Sequence, residues 1–229
     1  MQRTSARQLL ESWEALQGQP MPMRAAGLAA LLTGRSLPDV LRWSIPRRDR
    51  ALFDFRGQMF GERVDAVIPC PNCAEHLEMQ ISLAQIAPSK TRARKSRFRT
   101  LRVDGASVRC RAPNSADLLT IAASRDVAEA RAQLIARCIQ SEDPELRERA
   151  AALLAGEPAD DVELNLTCPA CGHTWQAPFD IANFVWRELD DWAQRTLREI
   201  HVIAGAYGWR EDEILRLSAR RRQMYVEMI

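Results

Sequence analysis

Two short stretches constrain this chain more than any other feature: Cys70-Pro71-Asn72-Cys73 and Cys168-Pro169-Ala170-Cys171, the second followed by Gly172. A Cys-x-x-Cys turn of this kind is a zinc knuckle, aiming two thiolates at one point. Zinc takes four soft ligands in a tetrahedron at roughly 2.3 Å. One knuckle supplies half of that set, so two knuckles complete one closed structural site. The spacing predicts that Cys70, Cys73, Cys168 and Cys171 meet at a single structural Zn2+, with the chain between them as an insertion. Two unrelated pairs or a decayed site remain the alternative. A redox pair is disfavoured, because redox Cys-x-x-Cys motifs open a helix, whereas both pairs here lie between alternating strand patterns. Ala74 stands where a glycine would relieve a left-handed turn, so local strain is expected in the first knuckle.

The strand patterns are short. Val64, Ala66 and Ile68 alternate into Cys70, and Leu77, Met79, Ile81 and Leu83 alternate out of Cys73. Val162, Leu164 and Leu166 lead to Cys168 in the same way, and residues 174–178 leave Cys171. Two knuckle-tipped hairpins are the physical content of a zinc ribbon.

Elsewhere the apolar residues recur every three or four positions, the mark of helices. Leu9, Leu10, Trp13 and Leu16 define a helix over 6–17, with Pro20 and Pro22 as breakers before a small-residue helix over about 24–33. Ser36 and Pro38 start a short helix through Leu41 and Trp43. The run Arg47-Arg48-Asp49-Arg50 opens an amphipathic helix carrying Leu52, Phe53, Arg56, Met59 and Phe60 and closed by Gly61. Its charged start reads as a solvated face or a set of acid–base pairs, with a partner-binding patch as the sharper option. Asp104-Gly105 joins two strands. Asn114 and Asp117 mark a capped helix start, and helices follow over 115–123, 126–140 and 144–155, the last closed by Gly156. Asp180 caps a long helix running to Tyr207-Gly208-Trp209. A short helix holds Ile214 and Leu215, and Ser218 caps a final basic one with Arg220, Arg221, Arg222, Tyr225 and Met228.

The predicted fold class is therefore α+β and mainly helical, with a split four-cysteine zinc ribbon and a hairpin-plus-helices insertion. The boundaries are 1–61 for an N-terminal helical region, 62–83 and 161–179 for the split ribbon, 84–160 for the insertion and 180–229 for the C-terminal helices. A chain of 229 residues can bury a core of this kind.

Charge and composition narrow the function. A net charge of +2 gives no global pull toward nucleic acid or membrane. The longest small-and-apolar run, 25–32, is too short to cross a bilayer, and residues 1–18 carry charges without an apolar core segment, unlike a secretory signal. A cytoplasmic address is expected, where disulfides are disfavoured. Cys110 and Cys138 then read as buried apolar thiols. The stretch 90–102 concentrates Lys90, Arg92, Arg94, Lys95, Arg97, Arg99 and Arg102. It reads as a solvated linker and a guarded strand edge; a zinc-ribbon nucleic-acid binder using it is the alternative. Only Phe98 interrupts the run, so no stacking ladder accompanies it. His76 and His173 could donate to sulfur but read first as exposed strand residues, and His201 as a helix residue. No nucleophile–base pair, phosphate loop, dinucleotide fingerprint or carboxylate dyad stands out, which points away from an enzyme.

Taken in order, these features match a known pattern. A helix with Arg48-Asp49-Arg50, Arg56 and Phe60-Gly61 runs into a strand and then Cys70-Pro71 and Cys73. Arg109 and the run from Arg111 through Pro113, Asn114, Ser115 and Asp117 to Leu118-Leu119 resemble an Arg-x-Pro-Thr-x-x-Asp-Leu segment. The second knuckle, His201 with Ile203-Ala204, Tyr207-Gly208-Trp209, Ile214-Leu215, Arg221-Arg222 and Tyr225 complete it. The set resembles the T4-family phage baseplate hub assembly chaperones, which have relatives in phage-tail-like contractile injection system clusters. The resemblance implies a non-enzymatic assembly factor or minor component of the baseplate hub or spike, with hub or spike proteins as partners and no catalytic residues. Family members vary in keeping the cysteines; all four are present here.

Overall fold

The computed structural model describes residues 4–87, 98–155 and 162–229. Helix α1 (Ala6–Leu16) starts at Ser5, whose side chain accepts from the Gln8 N–H while the Gln8 side chain returns to the Ser5 backbone. Helix α2 (Met21–Thr33) begins earlier than its apolar pattern suggested. Pro22 lies in its first turn, where a missing N–H costs nothing, so it initiates the helix rather than breaking it. Gly27 lets α2 approach α1 closely: a Cβ there would lie 2.7 Å from a Leu16 methyl. Helices α3 (Leu37–Leu41) and α4 (Ile45–Phe60) follow, with Ser36 capping α3.

Strands β1 (Arg63–Pro69) and β2 (His76–Ser82) form an antiparallel hairpin, pairing Val64 with Ile81 and Pro69 with His76. After a single turn of helix, α5 (Leu83–Ile86), the described chain resumes at Phe98. Strands β3 (Arg99–Val103) and β4 (Ala106–Cys110) make the hairpin expected at Asp104-Gly105. Helices α6 (Ser115–Ile121) and α7 (Val127–Cys138) come next. The helix expected over 126–140 stops short, because Ile139–Gln140 turns extended as β5 and joins β4 as a third strand. Helix α8 (Pro144–Ala155) ends before Gly156, which lies outside the described residues. Strands β6 (Glu163–Thr167) and β7 (Thr174–Pro178) form the second hairpin. Helices α9 (Ile181–Tyr207), α10 (Glu211–Arg216) and α11 (Ala219–Glu227) complete an α+β, mainly helical fold.

The main core is organised on α9, a 27-residue helix capped by Asp180 and ended by Gly208 in the left-handed conformation. Its buried stripe includes Val185, Leu189, Ala193, Ile200 and Ile203, and α1, α2, α4, α10 and α11 all pack on it. Leu9, Leu28, Leu52, Phe55, Leu189 and Ile214 are fully buried there, each worth about 1.5–3 kcal/mol of transfer energy. A second apolar cluster, Val103, Val108, Cys110, Cys138, Ile139 and Ala150, lies among β3, β4, β5, α7 and α8. Both spare cysteines are buried in it, as their isolation predicted.

Three buried arginines tie the helices together. Arg56 donates to both carboxylate oxygens of Glu188 on α9, at 2.8 and 2.9 Å, and to the Gly61 carbonyl oxygen at 2.6 Å. Arg222 repeats the device, donating to Glu199 at 2.7 Å and to the Leu217 carbonyl oxygen at 2.9 Å. Each guanidinium so closes the carbonyl end of one helix and anchors it to α9. Arg48 is 5% exposed and donates to Asp49 and to the Ser115 hydroxyl. In the charged opening of α4, then, Arg48 is a buried, paired strut and not part of a solvated face.

That strut points into residues that lie between the knuckles in sequence. The Ile45 N–H donates to the Pro113 carbonyl oxygen at 3.0 Å, and Ser44 bridges Asn114. Helix α6 thereby packs on α2 and α3.

Candidate metal centre

Both hairpins stay paired up to their tips, through Pro69 with His76 in one and Thr167 with Thr174 in the other. The two turns are built alike. The Cys70 N–H donates to the Glu75 carbonyl at 2.8 Å and the Ala74 N–H to the Cys70 carbonyl at 2.9 Å; the Cys168 N–H donates to the His173 carbonyl at 2.8 Å and the Gly172 N–H to the Cys168 carbonyl at 2.9 Å. The turn needs a left-handed residue after the second cysteine, supplied by Ala74 at φ 61° and Gly172 at φ 70°. The side chain at Ala74 is disfavoured in that region, as its position in the sequence indicated.

The hairpins bring their tips together. All four sulfurs of Cys70, Cys73, Cys168 and Cys171 lie within 4.8 Å of one another. Across the two knuckles, Cys70 Sγ is 3.8 Å from Cys171 Sγ, and Cys73 Sγ is 3.6 Å from Cys168 Sγ. A tetrahedron with arms of about 2.3 Å has edges of about 3.8 Å, so the spacing suits one tetrahedral ion of zinc size. Cys70 and Cys168 are buried against Leu77 and Trp175, while Cys73 and Cys171 face outward. Four sulfurs could hold a metal ion with no position left for a substrate.

One neighbour went unread in the sequence. The Asn72 side-chain amide crosses from the first knuckle and donates to Cys171 Sγ at 3.5 Å. The thiols differ in acidity accordingly. Cys171 is drawn down to about 6, first by the Asn72 amide and then by the His173 backbone N–H. Cys73 is pushed up to about 12: the Glu75 backbone N–H favours its thiolate, but the neighbouring Cys171, Cys168 and Cys70 thiols and local desolvation outweigh that donor. A thiolate is the form a metal binds.

The histidines stay outside this shell. His76 and His173 are exposed strand or turn residues, and His173 stacks on Trp175 with ring centroids 5.8 Å apart. His201 is exposed on α9. Of the basic stretch 90–102, residues 90–97 lie outside the described residues, while Arg99 and Arg102 are on β3. No helix among the described residues is long and apolar enough to cross a membrane.

Away from the cysteines, Asp117 is the focus of a second polar group. It is 1% exposed and accepts from Arg111 at 2.5 and 2.9 Å, from Arg137 at 2.8 Å and from the Asn114 N–H at 3.0 Å. Capping explained only the last of these. The arginines could not be assigned from spacing, since one follows β4 and the other ends α7.

Fold and site together define a helical α+β protein whose two β-hairpins converge in a four-cysteine cluster able to form a zinc site. Residues 37–141 match the family model described as T4 bacteriophage base plate protein. The match supports a T4-type baseplate protein, in agreement with the motif resemblance, and covers α3 through β5, including Cys70 and Cys73 but neither Cys168 nor Cys171. No curated protein and no solved structure matches the chain.

Proposed function

We propose that this protein is a non-enzymatic assembly factor, or minor component, of the baseplate hub or spike in a phage tail or phage-tail-like contractile injection system, working in the cytoplasm of the producing cell. The baseplate match over residues 37–141 carries this reading. Cys70, Cys73, Cys168 and Cys171 are its ligands for one structural Zn2+, which clasps the ribbon halves 62–83 and 161–179 around the insertion 84–160. The C-terminal region 207–229 is the contact surface for hub or spike proteins. It exposes Tyr207, Met224, Met228 and Ile229 beside an aromatic group in which Trp209 and Tyr225 lie 5.0 Å apart, and aromatic and methionine side chains are enriched at interfaces.

The test is co-expression of the full chain with the hub and spike proteins of its own gene cluster. The wild type should co-purify with one of them, and Met224→Asp with Met228→Asp should abolish the complex while leaving the circular dichroism spectrum unchanged. A wild type that binds neither protein, with particles assembling normally in its absence, would falsify the assembly role.

A further inference from the structure

The two knuckles are related by a pseudo-twofold arrangement: Cys70 corresponds to Cys168 and Cys73 to Cys171. The turn hydrogen bonds repeat at 2.8 and 2.9 Å, and each contact across the knuckles, Cys70 to Cys171 and Cys168 to Cys73, maps onto the other. The turns differ at three positions, Asn72 against Ala170, Ala74 against Gly172 and Glu75 against His173, and the first places a side-chain donor on a sulfur. Asn72 occupies the position before Cys73, and Ala170 the same position before Cys171. Asn72 donates across the knuckles to Cys171 Sγ at 3.5 Å; Ala170 has no group with which to answer at Cys73. Cys73 and Cys171 are the two outward-facing sulfurs, so the one missing donor leaves one exposed sulfur without its counterpart.

We propose that Asn72 is a positioning residue for the metal centre, capping the Cys171 sulfur, and that Cys73 is the reactive corner from which the ion is lost to thiol-directed reagents. This rests on the reading of the four cysteines as a metal site. A hydrogen bond to a ligating sulfur draws off electron density and lowers its nucleophilicity, and such partners of a ligand change metal affinity by roughly 10–100-fold. A solvent-facing thiolate that lacks this side-chain donor and keeps only its backbone N–H partner has more of its lone-pair density available. Attack by a soft electrophile such as a maleimide forms a sulfur–carbon bond at the expense of the maleimide double bond, water protonates the adduct carbon, and the ion loses one of its four ligands.

The experiment uses the full-length protein, its zinc content measured by elemental analysis, treated with limiting N-ethylmaleimide and mapped by peptide mass spectrometry. Cys73 should be modified several-fold faster than Cys171. Asn72→Ala should accelerate Cys171 by roughly tenfold and shift the sulfur-to-metal charge-transfer band of the cobalt-substituted protein. Ala170→Asn should place the mirror-image donor and slow Cys73. Both positions are exposed, so neither variant disturbs the core. Equal rates at Cys73 and Cys171, or an Asn72→Ala protein with unchanged order and spectrum, overturns the proposal while the zinc reading stands. A protein without stoichiometric zinc overturns the metal reading and this proposal with it.

Discussion

Asp117 is a buried residue at which charge supports the fold. Burial alone would raise its pKa, but Arg111, Arg137 and the Asn114 N–H outweigh that and hold it at about 2. The folded value lies below the unfolded one of 3.8, so the stabilisation is complete above pH 3.8 and is lost as the pH falls through 2. Each tenfold difference in proton affinity between the two states is worth about 1.4 kcal/mol, and the whole difference amounts to about 2 kcal/mol. Replacing Asp117 by Asn should cost about 3 kcal/mol at pH 7, since the arginines lose their counter-charge. In urea unfolding the gap between variant and wild type should narrow from pH 4 to pH 2. A gap that stays constant over that interval would exclude the ion pairs as its source. Sequence spacing placed Asp117 three residues after the cap Asn114 in a capping box; its larger role was illegible because Arg111 and Arg137 reach it from separate elements.

At the scale of elements, attachment to α9 decides what stays folded. Helix α11 has a single fully buried residue, and that residue is Arg222. Tyr225 and Val226 are only partly buried against the main core. Losing the Glu199 ion pair and the Leu217 carbonyl contact should therefore release the helix as a unit. Arg222→Ala is expected to open α11 to trypsin at Arg220 and Arg221 and to raise hydrogen exchange over 219–227, while α1, α2 and the buried stripe of α9 keep their protection. Uniformly raised exchange across the chain would show instead that α11 is integral to the main core. Helix positions were legible from apolar periodicity and capping residues such as Ser36, Asn114, Asp180 and Ser218. Strand β5 was not, because Ile139-Gln140 continues the helical pattern of α7 and becomes extended only through pairing with β4.

For the molecule as a whole, the four-cysteine cluster joins the tips of two hairpins whose bases, through Val64, Ile81, Leu164 and Leu166, are buried in the main core. Its apolar surroundings amount to Leu77 and Trp175, too little to hold the tips together by burial. If the cysteines hold an ion, a chelator should therefore lower the melting temperature and loosen the hairpin tips, 69–76 and 167–174, first, with the α9-centred core melting last. Hydrogen exchange measured with and without chelator would show this order, and an unchanged melting profile would mean that the tips need no ion. Arg48, Arg56, Arg111 and Arg222 belong to the motifs that carry the baseplate resemblance, and each forms an ion pair or helix-end contact inside the fold. Those motifs specify the scaffold.

Local rules were enough to locate most helices and hairpins and both knuckles, and even to mark Ala74 as a left-handed position, because periodicity, caps and turn chemistry act within a few residues. Convergence of the two knuckles could be inferred from the metal's need for four ligands. What only the tertiary structure decided is which distant groups meet: Asn72 with Cys171, Arg56 with Glu188, Arg111 and Arg137 with Asp117, and α6 with the helices that precede the first knuckle. A polar side chain advertises that it needs a partner, but the packing of apolar surfaces elsewhere determines which partner comes within reach.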